Sequence, residues 1–123
     1  MERVRGIGGV FFRSPRPGEL RRWYAEHLGL DVEEDWGGAV LTSSDGDTLT
    51  WAIFDADTGY FGPSGQQLMV NYRVRDLDAM LAQLRAAGVP VDDARHESEN
   101  GRFGWATDLD GNRIELWEPA PGQ

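Results

Sequence analysis

The sequence predicts an α+β fold in which one strand–helix–three-strand unit is written twice in tandem. Two observations carry that prediction. The stretch FRSPRPGELRRWYAEHLGLDV (Phe12 to Val32) lies over YRVRDLDAMLAQLRAAGVPV (Tyr72 to Val91): Phe12-Arg13 falls on Tyr72-Arg73 and, after one gap, Gly29 falls on Gly88. Each half also closes on an Asp-Gly turn and a matching arm, Asp45-Gly46 before DTLTWAIF and Asp110-Gly111 before NRIELWEP. One slot of that arm holds Thr50 in the first copy and Glu115 in the second. Units too small to bury their own sheets must pack on each other. The expected modules run over about residues 5–55 and 67–119, joined by a linker at about 55–67, in a single domain spanning 1–123.

The elements follow in order. GIGGVFFRS alternates and is rich in Val, Ile and Phe, so it reads as the first strand. Pro15 and Pro17 precede a helix whose Leu20, Trp23, Tyr24, His27 and Leu28 share one face. Gly29 supplies the left-handed residue that ends it. The second helix starts at Asp76 as N-cap, buries Leu77, Met80, Leu81 and Leu84, and ends at Gly88. Hairpin turns follow each helix: Gly37-Gly38 and Asp45-Gly46, then Asn100-Gly101 and Asp110-Gly111. If both βαβββ modules curve the same way, they make a cupped mixed sheet with the helices on the convex side.

Composition narrows the function classes. The chain carries 21 acidic against 12 basic residues, a net charge of −9, so phosphate backbones are repelled and nucleic acid is not an expected partner. No apolar run approaches the roughly 18 residues of a membrane span, and the first residues read as a strand, not a leader. Cysteine is absent, which removes disulfides, thiolate metal sites and a cysteine nucleophile and fits a cytoplasmic location. There is no Ser-His-Asp spacing, phosphate loop or dinucleotide fingerprint.

Period-two alternation sorts the strand residues into two faces. Val10, Phe12, Val70, Tyr72, Val74, Ile114 and Leu116 form the aliphatic set and should lie against the helices. The opposite set lines a shared trough: Phe11, Arg13, Thr50, Ala52, Met69, Asn71, Arg73, Arg113, Glu115 and Trp117. A carboxylate facing a partly desolvated trough needs a partner, and Arg13, Arg73 and Arg113 are the available ones. Two readings stay open. Glu115 and the arginines form a closed ionic network, or surplus guanidinium binds a ligand anion while Phe11, Met69 and Trp117 grip its apolar part. Among the other tryptophans, Trp23 is expected in the core and Trp51 against the first helix, while Trp36, Trp105 and Trp117 are the candidates to touch a ligand. Tyr60 and Phe61 in the linker read either as a lid over the trough or as anchors.

Three stretches carry a family resemblance: WYAEHLGL (Trp23 to Leu30), RVRDLDAMLAQLRAAGV (Arg73 to Val89) and DLDGNRIELWEP (Asp108 to Pro119). In this order and spacing the chain resembles the vicinal oxygen chelate superfamily of glyoxalases, bleomycin-resistance proteins and extradiol dioxygenases. The resemblance implies paired βαβββ modules, a small-molecule ligand in the cup and a homodimer. It also implies four metal-ligand positions, which fall on Gly9, Thr50, Met69 and Glu115, where histidine, glutamate, histidine and glutamate would be usual. Only Glu115 matches. Gly9 has no side chain, Thr50 is a poor ligand, and a thioether suits neither hard nor borderline divalent ions. Neither His27 nor His96 stands at a ligand position.

The expectation is a glyoxalase-like binding protein without the usual divalent metal or other cofactor, taking a small, partly aromatic or carboxylated ligand. The alternatives are a metal-dependent lyase, isomerase or dioxygenase with an atypical site, and a dimer that sequesters a cationic aromatic drug. Catalytic residues are not assignable from the sequence.

Overall fold

A computed structural model describes residues 1–123. The order is β1 (Val4–Ser14), α1 (Pro17–Leu28), β2 (Gly38–Thr42), β3 (Thr48–Asp55), β4 (Leu68–Val74), α2 (Leu77–Ala86), β5 (His96–Ser98), β6 (Gly101–Thr107) and β7 (Arg113–Pro119). All seven strands join one curled sheet in the order β2-β3-β1-β4-β7-β6-β5. β1 with β3, and β4 with β7, are parallel, and the modules meet where β1 runs antiparallel to β4. This is the expected α+β architecture.

The copies are not equal. The second has all four strands of its unit, whereas the first has three. Where a counterpart of β5 was expected, only an isolated bridge between Glu33 and Gly38 forms. Asp31, Glu33, Glu34 and Asp35 crowd that segment, and acidic residues are poor strand formers at a sheet edge.

Helix ends follow the local chemistry. Gly29 terminates α1 at φ 70°, and the Asp76 side chain accepts a hydrogen bond from the Ala79 N–H at 3.0 Å to start α2. Packing differs between the helices. α2 buries Leu77, Met80 and Leu81 against Val74, Ala106 and Leu116. α1 buries no residue fully. Its Leu20 and Tyr24 lean on Trp51 and Ile53. Arg21 reaches beneath it to the carbonyls of Gly37 and Ile53, at 3.1 and 2.6 Å.

Trp51 thus faces the first helix as expected, but Trp23 does not enter the core. It is 50% exposed, flanked by Tyr24 and His27. The line of contact runs through Leu20 and Tyr24, one turn apart, and leaves Trp23 beside it. No helix is long and apolar enough to cross a membrane.

Candidate functional site

Strand register assembles the floor of the cup in one row. Thr50 lies opposite Gly9, Gly9 opposite Asn71, Asn71 opposite Glu115, and Glu115 opposite Trp105. The sequence repeat therefore delivers Thr50 and Glu115 to equivalent places on either side of the module boundary. A register shift between Ile7 and Gly9 makes Gly8 a bulge, so strict alternation breaks there and the Gly8 backbone also meets the cup.

Glu115 is the most constrained polar group of this row, 1% exposed. Its Oε1 accepts from Asn71 Nδ2 at 2.7 Å. Its Oε2 accepts from the Trp105 indole N–H at 2.9 Å and from the Tyr60 hydroxyl. Neutral donors from two strands and the linker hold the carboxylate. The expected pairing of Glu115 with an arginine does not form.

Each of the three arginines instead backs an aromatic ring. Arg13 lies 5.0 Å from the Phe61 ring centre and donates to the Ala56 carbonyl at 3.2 Å. Arg73 lies 4.7 Å from the Trp117 ring and donates to the Thr48 carbonyl at 2.6 Å and to Gln123 O at 3.0 Å. Arg113 lies 5.0 Å from the Trp105 ring and pairs with Asp92. Guanidinium stacks well on aromatic faces and carries several donors, so it takes carbonyl oxygens that a sequence does not advertise.

The linker decides what remains open. Phe61 is fully buried in a cluster with Phe11, Ala52, Met69 and Trp105. Met69 therefore lies inside that cluster, opposite Phe11, and not on the cavity wall. Gln66 and Gln67 pin the segment through hydrogen bonds to the backbones of Arg113 and Arg13. The linker is an anchored wall, and Tyr60 is part of it, stacked on Phe54 with ring centres 5.4 Å apart.

Beyond this wall an open cavity of about 740 Å³ remains over the floor row. Phe11, Thr50, Ala52, Asn71, Glu115 and Trp117 line it as the alternation implied. Trp36 also lines it, while Trp105, at the end of the floor row, is buried and absent from the lining. Sequence reasoning missed Phe54 and Phe103, both in the wall. Phe54 shares strand parity with Thr50 and Ala52, and Phe103 with Trp105, so period-two counting held the signal.

The residues at the four metal-ligand positions do not fit a divalent ion. Glu115 has both oxygens engaged by protein donors. A Cβ placed on Gly9 would lie 2.9 Å from Phe11 Cζ, so the Phe11 ring fills the space of a side chain at that position. No group of three or more His, Cys, Asp or Glu residues that could hold a metal ion forms anywhere in the protein.

Burial, and after it the negative charge of Glu115, push the Tyr60 hydroxyl above the ordinary tyrosine value of 10.0. The folded protein holds this proton more tightly than the unfolded chain does. The resulting stability is fully present below about pH 10 and is lost as pH rises past it. Tyr60→Phe is expected to show a shallower alkaline decline than the parent, read by urea denaturation between about pH 8 and about pH 11. Identical slopes would show that Tyr60 ionises as in the unfolded chain.

Comparison with known proteins agrees with this fold. A family model for the Glyoxalase/Bleomycin resistance protein/Dioxygenase superfamily matches residues 6–116. The structure is similar to methylmalonyl-CoA epimerase from Mycobacterium tuberculosis, at 26% identity and TM-score 0.67, covering 96% of this chain and 90% of that one. It is similar in fold to a methylmalonyl-CoA epimerase in complex with methylmalonyl-CoA and NH4+, at 20% identity and TM-score 0.74, covering 98% and 99%. A Streptomyces coelicolor methylmalonyl-CoA epimerase variant in complex with 2-nitronate-propionyl-CoA gives 21% identity and TM-score 0.69, covering 93% and 96%. Among curated proteins no sequence matches. With the family model spanning nearly the whole chain and the paired modules forming one curled sheet, this protein belongs to the Glyoxalase/Bleomycin resistance protein/Dioxygenase superfamily, the vicinal oxygen chelate fold.

Proposed function

We propose that the chain is a small-molecule-binding protein that holds a partly aromatic ligand in its cup without the divalent metal of its enzymatic relatives, as a cytoplasmic homodimer. One observation carries the reading. The carboxylate at the single matching ligand position is closed off by Asn71, Trp105 and Tyr60, and the Phe11 ring fills the place over Gly9. Aromatic walls with a few polar groups at the floor are what small-ligand sites usually offer. The carboxylated ligand loses its support, because Arg13, Arg73 and Arg113 are absent from the cavity lining.

Elemental analysis of purified protein, with titration by Mn²⁺, Co²⁺ and Zn²⁺, tests the metal part. Substoichiometric metal and no saturable site near Glu115 are expected. One equivalent of ion whose binding is lost in Glu115→Gln would overturn the proposal. Benzyl alcohol, followed through the indole N–H signals of Trp117 and Trp36 by NMR, tests the aromatic part, and silence at both signals would overturn it.

The likeness to the Mycobacterium tuberculosis epimerase favours a second reading, an isomerase acting on an acyl-CoA. Incubation with methylmalonyl-CoA in D₂O, with added divalent ions, separates the two. Enzyme-dependent deuterium incorporation beside the thioester would support the isomerase. Its absence is the result expected here.

A further inference from the structure

The charge and donor balance of the cavity narrows the ligand further. Its lining includes the carboxylates of Glu33, Glu99 and Glu115 and no arginine, lysine or histidine side chain. The aromatic donors in the wall are already engaged. The Trp36 indole N–H serves Glu33, the Trp117 indole N–H serves the Asn100 carbonyl at 2.9 Å, and the Tyr60 hydroxyl serves Glu115. Thr48, Thr50, Asn100 and Gln123 remain, each able to donate or accept.

The floor holds a second, independent sign. Asn71 is 2% exposed, and its Oδ1 receives no hydrogen bond from any protein group. The amide orientation is fixed, because the nitrogen must face the Glu115 oxygen that accepts from it. A buried acceptor without a donor is costly, so a partner from outside the chain is favoured there. Gly8 stands beside this oxygen: a Cβ at that position would lie 2.3 Å from Oδ1 and 2.7 Å from the Trp117 ring. Glycine at the bulge leaves the buried acceptor without a side chain of residue 8 pressed onto it.

We infer that the ligand is a planar aromatic or heteroaromatic molecule bearing N–H donors, neutral or cationic, and that the cup rejects carboxylates and phosphorylated carriers. This rests on the reading of the cup as an aromatic-binding site. Phe11 and the stacked pair Phe103 and Trp117, the latter backed by Arg73, offer the ring the aromatic surface they leave open to the cavity; the unpaired Asn71 oxygen takes an N–H, and the surrounding carboxylates favour positive charge. An anion entering would lose its hydration and meet no cationic side chain on the cavity surface, because the Arg73 guanidinium lies behind Trp117 and is held by Thr48 and Gln123.

The test uses the full chain and three probes of matched size: benzamidine, benzoate and benzyl alcohol. Titrations are followed by tryptophan fluorescence and by the Trp117 and Trp36 indole signals. Benzamidine is expected to bind at least tenfold tighter than benzoate, with an affinity that weakens as salt is added. Equal or tighter binding of benzoate overturns the inference, even where benzyl alcohol binding upholds the aromatic cup. Failure of all three probes overturns both. Gly8→Ala, checked for an intact thermal transition, is expected to weaken benzamidine at least fivefold and benzyl alcohol less. Equal losses overturn the assignment of Asn71 as acceptor. Should Gly8→Ala fail to fold, the comparison of benzamidine with benzoate on the parent chain still decides.

Discussion

Glu115→Leu is expected to lower the free energy of unfolding by about 3–5 kcal/mol, the largest effect of any single polar replacement in the cup. Leucine matches the volume closely enough that packing is not the main loss. What is lost is the acceptor for Asn71 Nδ2, the Trp105 indole N–H and the Tyr60 hydroxyl. Each buried donor left without a partner costs about 1–3 kcal/mol, and donors sharing one acceptor do not add in full. Glu115→Gln keeps the shape and one acceptor oxygen, so it should cost less than half as much. Urea denaturation of both variants, with slopes compared, gives the numbers. A loss under about 1 kcal/mol for the leucine variant would mean that these donors find other partners. The carboxylate would then be no keystone of the floor.

Phe61→Ala should be comparably costly, at about 3–5 kcal/mol. The ring is fully buried with Phe11, Ala52, Met69 and Trp105, and the Arg13 guanidinium lies against it. Truncation leaves a cavity and also unseats the linker. Tyr60 would then lose its position on Glu115, so the effect should couple with that of Tyr60→Phe in a double-mutant cycle. Thermolysin provides a second readout: cleavage within residues 55–67 should accelerate far more than cleavage in β4 or α2. Strictly additive energies and unchanged cleavage would show that Phe61 fills space without holding the wall.

Much of this architecture is legible in the amino acids themselves. Turns announced by Asp45-Gly46, Asn100-Gly101 and Asp110-Gly111 join paired strands, whereas Gly37-Gly38 leads into β2, of which Gly38 is the first residue. Alternation put Phe11, Thr50, Asn71, Glu115 and Trp117 on one face because strand geometry leaves no other choice. The arginines were not readable in this way. A guanidinium at the end of a long flexible stem can choose among acceptors several ångströms apart, and Arg13 and Arg73 chose backbone oxygens on Ala56 and Thr48. Tyr60 belongs to a loop, where no period fixes direction, so its arrival at Glu115 depends on the burial of its neighbour Phe61. The acidic run from Asp31 to Asp35 did hold a signal against a fourth strand in the first module, one that the repeat itself obscured.

The inequality of the two helices has a consequence for how such a duplicated fold can change. α2 anchors a packed interior, so its inward positions tolerate little. α1 presents Trp23 and Leu28 to water and is fastened mainly through Leu20, Tyr24 and Arg21. Replacements on its outer side should be nearly neutral for folding. One copy of the repeat thus serves as foundation, and the other leaves a helical surface on which new specificity can be written without disturbing the cup beneath.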